Sequence, residues 1–290
     1  MLDKLILHDT TRAQVEHFVA NPAQAVLLCG ADGIGKTALA ETIIAAVLGL
    51  EPAALANYPH FRRVMREGAS ISIEAIRELQ RFLQLKTIGD APYRRAVLVE
   101  HAQHLTTEAQ NAYLKLLEEP PADTLMVLTV ASPRALLPTI LSRLQTITVH
   151  EPTEAQLQAL LQASNKDEQT RRQAYFLSAG LPGLLSALLE GDEAHPLLAS
   201  VALAKEILQK GAFERLALVD SLGKQKEQAH AVLEALERIA SAGLSTAAGK
   251  QNTPQIKQWH RIRVAALHAR EALEHSANTK LTLSNLFLQL

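Results

Sequence analysis

"LLCGADGIGKTALA", residues 27–40, is an apolar run that breaks into glycines and then into a lysine and a threonine. The residues around its start, Ala25-Val26-Leu27-Leu28-Cys29, are continuously apolar and are bounded by Asn21-Pro22 and by glycine. That pattern predicts a strand buried on both faces of a parallel sheet. From Thr37 to Leu48 the chain is rich in alanine, leucine and isoleucine, as a buried helix would be. Strand, glycine loop and helix thus come in the order a phosphate-binding loop requires. Gly30-Ala31-Asp32-Gly33-Ile34-Gly35-Lys36-Thr37 satisfies G-x-x-x-x-G-K-[ST] in full. In such a loop the glycines let backbone N–H groups turn inward around phosphates, Lys36 reaches the β- and γ-oxygens, and Thr37 offers a hydroxyl to Mg²⁺. The candidate nucleotide contacts are therefore Gly30, Asp32, Gly33, Ile34, Gly35, Lys36, Thr37 and Ala38. Cys29 reads as a small buried residue rather than a reactive thiol.

Composition narrows the field. With 290 residues and 48% hydrophobic content, the chain is long enough for two or three domains with real cores. A formal net charge of −1 argues against the strongly basic footprint of a stand-alone nucleic-acid binder. A single cysteine excludes a disulfide framework and a multi-cysteine zinc site, and a cytoplasmic setting fits that count. The sequence has no secretory leader pattern and no apolar stretch near the roughly 18–20 residues needed to span a bilayer. No membrane association is expected.

A nucleotide hydrolase also needs acid at the end of a neighbouring strand. Ala96-Val97-Leu98-Val99 is the obvious strand, and it runs into Glu100-His101, one carboxylate where two are usual. Downstream lie Asn111-Ala112-Tyr113-Leu114-Lys115-Leu116-Leu117-Glu118-Glu119-Pro120-Pro121, then Leu137-Pro138-Thr139-Ile140, then Ser142-Arg143. Upstream is Ile71-Ser72-Ile73-Glu74-Ala75-Ile76-Arg77-Glu78-Leu79, and the chain closes on "ANTKLTLSNLFLQL". In these pieces the chain resembles the bacterial clamp-loader ATPases, the delta-prime and gamma/tau subunits of DNA polymerase III. The resemblance weakens between about residues 190 and 270.

The resemblance implies an α/β P-loop core of the AAA+ type, with a parallel sheet flanked by helices, then a small helical lid and an all-α collar-type domain. The boundaries would fall at 1–150, 151–191 and 192–290. Strand-like runs at 25–29, 96–99, 125–130 and 145–149 agree with an α/β core. Beyond Pro152, residues 154–163, 168–179, 182–190, 196–210, 212–222, 225–242, 254–275 and 279–289 read as helices. Turn signals separate them at Ser164-Asn165, Gly191-Asp192 and 249–253.

The resemblance also assigns roles, and this chain departs from several. Active relatives carry an aspartate for the metal and a glutamate that orients the attacking water, where Glu100 and His101 stand here. Glu100 is one methylene longer and can still coordinate Mg²⁺, whereas a neutral imidazole lacks the fixed negative charge of the water-positioning group. The γ-phosphate sensor falls on Val130 or Ala131, with Thr129 in reach if the register slips by one. The lid arginine falls on Gly183, and Gly180-Leu181-Pro182-Gly183 is closer to delta-prime than to gamma. The four-cysteine zinc knuckle of the family is missing from residues 50–60. Arg143 is intact, and in the family this arginine stabilises charge in a neighbour's site rather than its own.

The expected role is thus a delta-prime-like subunit that binds ATP with Mg²⁺, hydrolyses it weakly or not at all, and lends Arg143 in trans. Its implied partners are gamma/tau and delta in a hetero-oligomer, the sliding clamp, and primer-template DNA through the complex. Two other readings stay open: a gamma/tau-like motor ATPase, and a nucleotide-binding adaptor outside replication. The basic clusters at 61–66, 93–95, 171–172 and 259–263 could meet DNA phosphates, although clusters of this size are usually solvated faces. Asn165-Lys166-Asp167 fails the N-K-x-D spacing of a guanine-specific motif, which favours ATP.

Overall fold

A computed structural model of the chain describes residues 2, 5–66, 68, 70–190, 196–275 and 277–290. Two compact units divide it, Met1–Gln156 and Leu157–Leu290. The turn expected at Gly191-Asp192 lies outside the described residues.

The first unit runs α1 (Asp9–Ala20), β1 (Ala25–Cys29), α2 (Lys36–Leu48), β2 (Phe61–Val64), α3 (Ile73–Leu83), β3 (Arg95–Val99), α4 (Thr107–Glu118), β4 (Thr124–Val130), α5 (Pro138–Leu141) and β5 (Gln145–Thr148). All strand pairs are parallel, in the order β2-β3-β4-β1-β5. The three inner strands are buried on both faces, as their unbroken apolar runs predict. Successive side chains point to opposite faces. Leu27, Val97, Val99, Met126, Leu128 and Val130 meet α3 and α4 on one side, while α2 covers the other.

The helices show why they form where they do. In α3, Ser72 caps the first turn by accepting from the Ala75 N–H, and Ile76, Leu79 and Leu83 bury one stripe. In α4, Thr106 accepts from the Ala109 N–H, and Ala109, Tyr113 and Leu117 bury another stripe. Each such cap is worth about 1 kcal/mol.

Sequence and structure differ in three places here. Phe61–Val64 is a strand, not only a basic cluster: it is the edge of the sheet, and its Arg62 and Arg63 are exposed, so no apolar run announces it. Arg95, expected on a basic surface, is buried at 2% exposure. Its guanidinium donates to the Leu83 and Leu85 carbonyls and lies over the Phe82 ring at 5.5 Å. Tyr93 and Arg94 serve the fold as well, with Tyr93 donating to the Pro22 carbonyl at 2.8 Å and Arg94 meeting Asp123 at 3.5 Å.

The second unit is helical. α6 (Glu154–Ala163), which contains the boundary, is followed by α7 (Glu168–Ser178), α8 (Pro182–Glu190), α9 (Pro196–Gln209), α10 (Ala212–Leu222), α11 (Lys226–Gly249), α12 (Thr253–Glu274) and α13 (Thr279–Gln289). The third difference lies here, since α11 passes the expected end at 242 and continues to Gly249. A Cβ on Gly243 would sit 2.4 Å from the Trp259 ring, so this glycine is the seat of an indole from α12 rather than a helix stop. No helix among the described residues is long and apolar enough to cross a membrane.

Candidate nucleotide-binding site

The loop between β1 and α2 has the backbone its glycines allow. Gly33 and Gly35 hold φ of 80° and 98°, a region open to glycine and strained for other residues. Gly30 is required for a different reason, because a Cβ there would meet the Val149 carbonyl oxygen at 2.7 Å. Ile34 is buried and anchors the loop, Thr37 is half-buried, and Ala38 is exposed.

Lys36 is folded into the loop, 5% exposed. Its ammonium donates to the Gly30 carbonyl at 2.7 Å, the Ala31 carbonyl at 2.9 Å and Asp32 Oδ1 at 3.1 Å. These acceptors stand in for phosphate oxygens: two carbonyls and a carboxylate satisfy the charge that a polyphosphate would take over. Burial pushes the Cys29 thiol up, against the pull of the Lys36 charge, so no thiolate is favoured beside the loop.

The end of β3 is built differently. His101 has φ 49° and ψ 53°, a left-handed conformation costing about 1–2 kcal/mol for a residue with a Cβ. Its N–H donates to Thr129 Oγ1 at 2.9 Å, which explains how the turn is held and where the polar side chain near the end of β4 is spent. The imidazole Nδ1 is 3.7 Å from Asp32 Oδ1 and 3.3 Å from Gln103 Nε2. Asp32 therefore joins the loop to this turn, and Lys36, Asp32 and His101 come together.

Glu100 turns elsewhere. Its side chain is 13% exposed, and Oε1 lies 3.2 Å from Arg63 Nε without the alignment of a hydrogen bond, so the contact is ionic. The same guanidinium pairs with Glu41 of α2. Alternation along the sheet explains the meeting: Val64 and Val99 belong to the core beside α3 and α4, so Arg63 and Glu100, their neighbours, fall on the α2 face. Sequence reasoning missed Arg63, because finding it needs the strand order.

Nucleotide and Mg²⁺ fare differently against these residues. The loop fits a polyphosphate through its positive-φ glycines, the start of α2 and Lys36. Thr37 and Glu100, the residues assigned to Mg²⁺, do not form a fitting donor pair here, because an arginine already lies on Glu100. The ion binds oxygen ligands at about 2.1 Å with near-octahedral geometry, and a guanidinium offers none.

Arg143 follows α5 and is 37% exposed. It donates to the Thr139 carbonyl at 2.9 Å and to Glu118 Oε1 at 2.9 Å. Buried Gln110 sets this corner, donating to the Leu105 and Ala135 carbonyls and accepting from the Leu137 N–H. The partners of Arg143 are thus on α4 and α5, not on the loop. Gly183, at the expected place of the lid arginine, is in the first turn of α8 and offers no side chain.

Residues 14–153 match the protein family described as "DNA polymerase III, delta subunit". The DNA polymerase III subunit delta' of Pseudomonas aeruginosa is 38% identical over 141 residues, covering 43% of this chain and 42% of that one. The subunit delta' of Escherichia coli is 34% identical over 125 residues, covering 42% and 36%. The matched stretch spans less than half the length of each of these relatives. Among solved structures, a DNA polymerase III gamma subunit-related protein of Thermotoga maritima is similar in fold, with a TM-score of 0.56 at 20% identity and coverage of 97% of this chain and 98% of that one. The parallel sheet with its glycine loop, followed by a helical unit, is the α/β core with a helical portion expected from the sequence.

Proposed function

We propose that the whole chain works as a clamp-loader subunit of the delta-prime type, a reading supported by the match of residues 14–153 to the family described as "DNA polymerase III, delta subunit" and by the likeness to delta' subunits. It holds ATP at Gly30–Thr37, turns it over slowly or not at all, and lends Arg143 to the site of a neighbouring gamma/tau subunit. Delta, the sliding clamp and primer-template DNA complete its setting in the cytoplasm, with residues 1–150 as core, 151–191 as lid and 192–290 as collar.

One observation carries this reading: a complete phosphate loop stands beside a strand end that is not equipped for hydrolysis. Lys36 is enclosed by acceptors that a triphosphate can replace. Glu100 is covered by Arg63, and the next side chain is an imidazole rather than a carboxylate. That combination favours holding over turnover, and so favours this reading over the motor ATPase.

Arg143 has the chemistry for work in trans, a permanent charge with a planar fork of donors. It sits at the surface and, among the described residues, pairs with Glu118 and with carbonyl and hydroxyl groups of its own segment. Reaching a neighbour's phosphates would require exchanging Glu118 for those oxygens.

The test is titration calorimetry with ATP and Mg²⁺, together with steady-state turnover. The unmutated chain should bind and hydrolyse at well below about 1 s⁻¹, the low end of ordinary enzymes. Lys36→Ala should lose binding by about 10²-fold, as expected when charge-assisted bonds to phosphate vanish. No heat with the unmutated chain would overturn the ATP-holding role. Purification from native extract with none of the other polymerase III subunits would favour the adaptor outside replication.

A further inference from the structure

The acid at the end of β3 already carries a cation of the protein's own. We propose that Arg63 takes the place of the divalent ion, so that the loop accepts a nucleoside triphosphate without Mg²⁺. The inference rests on the nucleotide-holding role proposed above.

Three observations support it. First, the guanidinium bridges Glu41 and Glu100, so a cation of the chain's own already occupies the carboxylate that a divalent ion would use. Second, strand pairing fixes Arg63 in place. Arg63 lies opposite Leu98, and the Glu100 N–H donates to the Val64 carbonyl at 2.9 Å, so the arginine and the acid stay in register whatever the loop does. Third, Glu41 is one helical turn beyond Thr37 on α2, so the face that presents the Thr37 hydroxyl is the face over which Arg63 lies.

Geometry then opposes sharing of Glu100 Oε1. Mg²⁺ on Glu100 Oε1 would stand about 2.1 Å from that oxygen. Arg63 Nε is 3.2 Å from the same atom. The dication and the guanidinium would be at most about 5 Å apart, and like charges that close disfavour each other. A guanidinium is itself a phosphate ligand, always charged and bidentate, and its bond to Glu41 is the more solvent-exposed of its two attachments.

The experiment is calorimetric titration of the full chain with ATP, once in EDTA and once in Mg²⁺. The unmutated chain should show affinities equal within about threefold, since no ion is required. Arg63→Gln should bind at least tenfold more weakly in EDTA and regain affinity with Mg²⁺, and Arg63→Lys, which keeps the charge, should remain indifferent to the ion. Circular dichroism checks that the variants are folded, and the unmutated comparison decides the matter without them. A tenfold or greater loss for the unmutated chain in EDTA would overturn the inference and leave the nucleotide role standing. Unchanged affinity of a folded Arg63→Gln in EDTA would also overturn it. Absence of binding in both buffers would overturn the nucleotide role and this inference together.

Discussion

The segments that leave β1 and β3 flank the same strand and are tied to consecutive residues of it. Gly30 donates to the Val130 carbonyl at 3.2 Å, and the His101 N–H donates to Thr129 Oγ1 at 2.9 Å. Yet one segment carries every residue of the G-x-x-x-x-G-K-T pattern, and the other pairs its one carboxylate with an arginine and follows it with a histidine. The loop needs only backbone geometry and one lysine, and all of that survives. The turn has one carboxylate where the resemblance leads one to expect two, and Arg63 lies on it. On the proposed reading, binding and turnover rest on separable parts of the same end of the sheet, and a chain can retain the first without the second.

The largest expected effect is at Arg143, which the proposed function makes the chain's catalytic contribution and which lies in neither segment. In a reconstituted complex, Arg143→Ala should slow ATP hydrolysis by the adjacent subunit by about 10³–10⁵-fold, the worth of a supplied arginine in phosphoryl transfer. ATP affinity of the mutated chain itself should not change. Normal assembly with an unaltered rate would leave Arg143 as a surface arginine paired with Glu118.

Restoring the turn sharpens the contrast. His101→Glu alone should leave turnover within about threefold of the unmutated value, because Arg63 still covers Glu100. Arg63→Gln with His101→Glu, assayed in Mg²⁺, should raise turnover about 10²-fold, the lower end of what a positioned general base contributes. Equal rates for the single and double variants would show that the two defects are not coupled.

Smaller changes probe the loop. Asp32→Asn should tighten ATP binding about fivefold, because it frees the Lys36 ammonium and removes a negative charge from beside the phosphates, and an exposed pair is worth at most about 1 kcal/mol. Weaker binding in the titration would mean that Asp32 itself helps to hold the nucleotide.

The smallest effect concerns the fold beneath the site. Burial pushes the Asp123 carboxyl up, but Thr87, Arg95, Thr124 and Arg94 together hold it below the ordinary carboxylate range. A depressed folded-state value means stability that is present above the unfolded value and lost as the pH falls. Urea denaturation should therefore show stability declining as the pH drops below about 4, and Asp123→Asn should flatten that decline. An unchanged slope would assign the acid sensitivity to other carboxylates.

Much of this was legible in the amino acids. The loop was, because a phosphate cradle is a local device: consecutive backbone groups, glycines where φ must be positive, and a lysine a few residues on. Helix positions in the second unit were too, from periodicity and turn residues, with α12 at Thr253–Glu274 against an expected 254–275. Strand β2 was not, since an edge strand with two arginines shows no apolar run. Nor was the end of α11, because the partner of Gly243 is an indole on the next helix.

By itself, then, the sequence determined the glycine loop between a strand and a helix, the α/β core followed by helices, and the presence of His101 after Glu100. Only the tertiary structure decided that Arg95 is internal, that Asp32 joins Lys36 to His101, that Glu118 restrains Arg143, and that Arg63 lies on Glu100. The physical reason is one of range. Backbone propensity and side-chain periodicity act over a few residues, whereas an ion pair between neighbouring strands depends on strand order and on which face each side chain meets, and both are fixed only when the sheet assembles.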